Sequence, residues 1–364
     1  MSHERILGID CIKTFLFLCI YLFHMHDFFY ALDPSSFFHS PPIFWQLGEL
    51  VARLGAFAGF ATLALTFFLF GMKRSLPSFW FILVILPCFW LVFCAITALK
   101  DLNTPSLIWD IYPLIFVSFL AIAFIELFSL PTLEAFFAIL SAILLIFPPR
   151  ELSFLSPGFM KEMLIGLCPI DYADWPLLPW IGLSYLGYYV GKFAKKHARR
   201  LAKAYCWEYG VGFFILVNLY LHRKAYFATP LNMSWACYNF HRQADDFWAH
   251  LLFWALLVRL SLLAKVQQAL AGSLWCRWPS KLAINQSFYL AYFLHYIVLF
   301  SLLGILRSHE LASNACALNA TLFFGPILTE GLSRKMQVFI SWMRRNLGGG
   351  PIDFFSNPRP FESS

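Results

Sequence analysis

The chain has 364 residues, 60% hydrophobic, 19% aromatic and 13% charged, with a net charge of +7 and a mean hydropathy of +0.67. Soluble domains sit near 45–50% apolar and about 25% charged, so this composition excludes a soluble enzyme, a secreted disulfide scaffold and a disordered adaptor. The nine cysteines form no CxxC pair; most lie in apolar runs, where a thiol behaves as a small hydrophobe. The class that remains is an all-α, polytopic membrane helix bundle.

In chain order, apolar runs occupy 12–32, 47–71, 79–99, 107–129, 132–148, 173–192, 205–221, 246–264, 285–306 and 312–330. At roughly 20 residues per crossing of about 30 Å of hydrocarbon, these predict about ten transmembrane helices. The runs 132–148 and 205–221 are short for a span. The segment 158–170 carries Lys161 and Glu162 and reads as re-entrant or interfacial; if it crosses, the number rises to eleven. The first run continues past Phe29 without a small-residue cleavage site, so it is expected to persist as the first helix.

Basic residues set the orientation. With the N-terminus inside, the inner loops hold Lys73, Arg74, the run Lys192, Lys195, Lys196, Arg199, Arg200 and Lys203, and then Arg277, Lys281, Arg334, Lys335, Arg344 and Arg345. This asymmetry predicts cytoplasmic N- and C-termini, and it assigns the +7 charge to membrane anchoring rather than to nucleic acid. The chain divides into a transmembrane domain, 1–332, and a cytoplasmic amphipathic, basic tail, 333–364, expected to lie on the inner leaflet. The longest connections, 148–172 and 222–245, face outward, where an external substrate is met.

Ionisable groups inside spans are costly and therefore mark function. The first helix holds Asp10, Lys13, His24, His26 and Asp27. Eleven steps at 100° per residue bring Lys13 and His24 to within about 20° of one face, roughly 16 Å apart along the axis. Asp10 lies one turn before Lys13, and Asp27 one turn after His24. On this stripe, Lys13 near the cytoplasmic surface can meet the phosphates of a nucleotide-bearing donor, with Asp10 holding it. His24 can serve as general base or acyl acceptor, and Asp27 can fix its tautomer. In the structural reading, Lys13 snorkels and the histidines pack in the bundle.

Ile9-Asp10-Cys11-Ile12-Lys13, leading to Phe23-His24, is similar to the opening helix of transmembrane acyltransferases, where an Asp-x-x-Arg pair precedes a histidine at the same spacing. The continuation His24-Met25-His26-Asp27-Phe28-Phe29, then Leu32-Asp33-Pro34, resembles the heparan-α-glucosaminide N-acetyltransferase catalytic-domain family, particularly its bacterial membrane members. A second stretch, Asp171-Tyr172-Ala173-Asp174-Trp175-Pro176-Leu177-Leu178-Pro179-Trp180-Ile181-Gly182, resembles that family's Asp-Tyr-x-Pro-Leu-x-Pro-Trp-x-Gly signature. A third, Phe288-Tyr289-Leu290-Ala291-Tyr292-Phe293-Leu294-His295, is similar to its late helix ending in histidine. The three blocks span residues 5–300. In this chain Lys13 stands where the family has arginine, an extra residue interrupts Asp-Tyr-x-Pro, and Glu49 and Arg53 stand in the second span in place of a histidine near its start.

The resemblance implies an integral acyltransferase of a bacterial inner (plasma) membrane, using cytoplasmic acetyl-CoA as donor and no metal. It implies a sugar or amino-sugar acceptor at the outer face, and hence glycan modification. Asp171 and Asp174 are expected to bind or deprotonate that acceptor, with Trp175 and Trp180 as stacking surfaces. His295 is expected as a second acid/base or oxyanion donor facing His24, with Tyr289 as a hydrogen-bond donor. The donor and acceptor approach from opposite faces, which calls for a through-going polar tunnel along the first helix. Two other readings fit the residues: a transporter or flippase with the same charges as a proton relay, and an inactive membrane scaffold. Against the transporter, no internal inverted repeat is visible.

Overall fold

A computed structural model describes residues 6–32, 58–72, 87–95 without 89 and 93, 111–128, 130–147, 154, 158–165, 175–203, 205, 207–217, 244–282, 285, 288–308 and 315–346. Among the described residues every regular element is a helix. We number the principal ones α1 (Leu7–Leu32), α2 (Ala58–Met72), α3 (Ile111–Phe128), α4 (Pro131–Ile146), α5 (Phe159–Ile165), α6 (Leu177–Lys196), α7 (Ala198–Leu201), α8 (Trp207–Val217), α9 (Ala244–Ser261), α10 (Ala264–Gly272), α11 (Leu274–Lys281), α12 (Phe288–Ser308) and α13 (Ala315–Asn346).

Two of the described helices, Leu7–Met25 within α1 and all of α3, are long and apolar enough to cross a membrane. A third candidate is the pair Leu251–Ser261 and Ala264–Gly272, bent by 75° at the break between them. The bundle presents apolar side chains outward: Leu127, Phe136, Ile139, Phe213, Phe214 and Phe323 are all exposed. Contiguous apolar surface on this scale suits lipid rather than water.

Cross-helix contacts fix relative directions. Ser118 donates to Ser184 at 3.1 Å, and Lys192 pairs with Glu126 at 2.7 Å, both across 66 residues, so α3 and α6 run parallel. Gly8 lies against Ser261 and the Phe15 ring is 6.0 Å from Trp254, so α1 and α9 run antiparallel. Gly212 packs on Leu256 while Glu208 pairs with Arg259 at 2.6 Å, making α8 and α9 an antiparallel pair.

Small residues allow the closest approaches. In Gly187-Tyr188-Tyr189-Val190-Gly191 the two glycines sit under the carbonyls of Ala64 and Phe68 on α2, and Gly71 sits under that of Tyr188. A Cβ at Gly187 would lie 2.6 Å from the Ala64 oxygen, and one at Gly191 would overlap the Phe68 oxygen outright. In lipid, where apolar side chains gain nothing by leaving solvent, this backbone-to-backbone packing is a main source of helix association.

Lys192 also pairs with Glu134 at 2.7 Å, tying the ends of α3, α4 and α6 together. Arg259, inside the eighth apolar run, has several partners: Glu208, and the carbonyls of Leu201 at 2.6 Å and Lys203 at 2.7 Å. The segment 158–170 contributes the short helix α5, in which Lys161 and Glu162 are both buried. α13 runs unbroken through position 332, so the last apolar run and the start of the basic tail are one helix with Pro326 inside it. Glu49 and Arg53 lie outside the described residues.

Candidate functional site

The interface between α1 and the segment carrying Asn285 and α12 holds two polar clusters. At the start of α1, Lys13 is paired with Asp10 at 3.5 Å and donates to the Asn285 carbonyl at 3.3 Å. The Asn285 amide donates to the Asp10 carbonyl at 2.9 Å, to the Thr14 hydroxyl at 2.6 Å and to the Pro279 carbonyl at 2.7 Å. The side chains of Lys13 and Asp10 are only 5% exposed. The expected hold of Asp10 on Lys13 is present. In this structure its ammonium is turned inward and held by Asp10 and Asn285, because a buried charge needs a partner and hydrogen bonds.

Farther along α1 is the second cluster. The Tyr296 hydroxyl lies 2.8 Å from His24 Nε2. The ring of His24 is 5.3 Å from that of His295 and 4.6 Å from that of Tyr296, centroid to centroid. This places the two histidines well inside one helix diameter of each other, ~10 Å. His24 is part-exposed and His295 fully buried. Phe17, Tyr21, Tyr292 and Tyr296 surround His295 with ring centroids 4.4 to 6.4 Å away. Neither of its ring nitrogens has a hydrogen-bond partner among the described residues; the carbonyls of Ala291 and Tyr292 lie close without completing a bond of normal geometry.

The two clusters share one register. Lys13 reaches Asn285 and His24 reaches Tyr296, each across 272 residues, so α1 and α12 run parallel and in step. Residues at i, i+3 and i+4 of a helix share a face, so Tyr292 stands beside His295 and Tyr296, the two that reach α1. The sequence singled out His295 and Tyr289 and missed Tyr296 and Asn285. The available signal for Tyr296 was its place on the α12 face defined by Tyr292 and His295.

Between the clusters the stripe is filled. Leu16, Phe17, Ile20 and Tyr21 are each at most 2% exposed. Tyr21 donates to the Thr321 carbonyl at 3.1 Å and occupies the space left by Gly325 on α13. The polar tunnel expected along this stripe is thus absent among the described residues: close-packed aromatic and aliphatic side chains separate Lys13 from His24.

Trp175 and Trp180 lie edge to face, with ring centroids 6.0 Å apart. Both are buried, and the Trp180 ring stacks on Phe60 with centroids 4.0 Å apart, while Trp175 meets Phe60 edge-on at 5.4 Å. Both rings thus pack against Phe60 on α2. Asp171 and Asp174 lie outside the described residues. The side chains of Asp27 and Tyr289 do as well, although both residues belong to described helices. No family model matches the chain, and neither a curated protein nor a solved structure matches it.

Proposed function

We propose that the protein is a multi-pass acyltransferase of a bacterial inner membrane, moving an acetyl group from cytoplasmic acetyl-CoA to a sugar or amino-sugar acceptor at the outer face. The observation that carries this reading is the His24–His295 pair, 5.3 Å apart, with Tyr296 hydrogen-bonded to His24. Among the described residues the His295 nitrogens have only the backbone of Ala291 and Tyr292 beside them, and a poorly met buried polar group costs on the order of 1–3 kcal/mol, which supports a working role for the imidazole. The resemblance of the Asp10–His24, Asp171–Gly182 and Phe288–His295 blocks to membrane acetyltransferases names the chemistry.

The relative helix directions support about ten spans with both termini inside, in keeping with the positive-inside rule. In that arrangement the first and ninth spans rise together, as do α1 and α12, and the eighth descends, as does α9. The fourth and sixth spans descend together, as do α3 and α6. The cluster of Lys192 with Glu126 and Glu134, that of Arg259 with Glu208, and that of Lys13 with Asp10 then all fall at cytoplasmic span ends.

His24 acts as the base. It takes the proton from the acceptor's hydroxyl or amine as that atom attacks the thioester carbonyl, the C–S bond breaks, and the proton passes to the departing CoA thiolate. His295 lies beside the reacting centre, within reach of the developing oxyanion. The packed stripe means the resting state is closed, and the thioester arm passes only when Phe17 and Tyr21 move. Donor phosphates engage Lys13 only when Asn285 lets it go.

The closed stripe also favours a second reading, a proton-coupled transporter in which the histidine pair carries the proton. The test is purified protein in lipid with labelled acetyl-CoA and a panel of amino sugars and lipid-linked glycans. Label transfer supports the enzyme; CoA-independent solute uptake into vesicles supports the transporter.

A further inference from the structure

We infer that Tyr296 is the positioning residue for the His24 imidazole, a role that on sequence fell to Asp27; this inference rests on the acyltransferase reading for its catalytic consequence, but not for its geometry. The Tyr296 hydroxyl lies 2.8 Å from His24 Nε2, and the residue is 6% exposed. A phenol both donates and accepts. In the tautomer that leaves Nδ1 as the base, Nε2 carries the proton and donates to the Tyr296 oxygen, and it still does so when Nδ1 is protonated, so the contact persists through a full proton cycle.

The contact is held by the backbone rather than by side-chain chance. Eleven residues earlier, the Asn285 amide is bonded to Asp10 and Thr14 while its carbonyl takes the Lys13 ammonium. That set of bonds pins the register in which Tyr296 meets His24. The rings of Tyr292 and His295 flank that of Tyr296, with centroids at 5.9 and 4.4 Å. With Nε2 occupied by Tyr296, proton exchange with the acceptor falls to Nδ1.

The chemistry balances without a further reactant. The acceptor's proton goes to His24 Nδ1, Nε2–H donates to the Tyr296 oxygen while the imidazolium persists, and the same proton leaves Nδ1 for the CoA thiolate. Tyr296 is neither acylated nor consumed.

The test compares wild type with Tyr296→Phe in full-length protein in lipid, by kinetics and by ¹⁵N NMR of labelled histidine, with the His24 signal identified by its loss in His24→Gln. The expected result is a single His24 tautomer in wild type that becomes a mixture in Tyr296→Phe. With it comes a fall in kcat of roughly tenfold or more, the worth of one hydrogen bond of about 1.4 kcal/mol, with KM for acetyl-CoA unchanged. An unchanged tautomer ratio overturns the inference whether or not the protein transfers acetyl groups. Transfer absent from wild type, with the tautomer shift still present, removes the acyltransferase reading and leaves Tyr296 as the residue that orients His24. Transfer present and kcat unaltered by Tyr296→Phe overturns the catalytic consequence.

Discussion

Lys13 brings its charge into a pocket where Asp10 and Asn285 are its partners, and the cost of losing either side is set by burial. Lys13→Met leaves the Asp10 carboxylate buried without its cation, and is expected to destabilise the protein by about 3 kcal/mol or more. The double variant Lys13→Met/Asp10→Asn is expected to recover most of that loss, read as the thermal midpoint in detergent; an equal loss in both would contradict the pairing. The stripe from Asp10 to His24 was legible in the sequence because 100° per residue is a local rule. Asn285 and Tyr296 were not, because nothing local says which turn of a distant helix will stand opposite. The same limit explains Trp180. An aromatic beside proline reads alike whether its face meets a sugar or, as in the structure, the ring of Phe60.

At the level of elements, helix association rests on glycines that serve as contact points. Gly191→Leu drives a side chain into the Phe68 carbonyl on α2, and is expected to abolish a stable fold, seen as loss of a monodisperse peak in detergent. Gly331→Ala, where a Cβ meets nothing within 4 Å, is expected to leave stability unchanged or raise it by up to about 1 kcal/mol. Equal tolerance of the two would contradict the packing. The positions of the helices were largely readable from run length and hydropathy: α3, α4, α6 and α12 lie within a few residues of their apolar runs. What hydropathy could not show is that the last run and the start of the tail make one 32-residue helix, because basic residues on an exposed face are compatible with a continuing helix.

For the whole molecule, the parallel pair α1 and α12 places a buried ion pair at one end of an interface and an imidazole pair farther along it, with packed rings between them. On the acyltransferase reading, the closed stripe opens to pass the donor. In a variant lacking the nine native cysteines, Phe17→Cys is expected to resist a maleimide reagent at rest and to react several-fold faster with acetyl-CoA bound. Equal rates would contradict opening. The most direct test of the central claim is acetyl transfer from labelled acetyl-CoA by wild-type protein and by His24→Ala in lipid. Transfer that is present in wild type and lost by at least a hundredfold in His24→Ala, with the thermal midpoint preserved, is the expected result. Transfer that survives the substitution, or that wild type never shows across the acceptor panel, would contradict it.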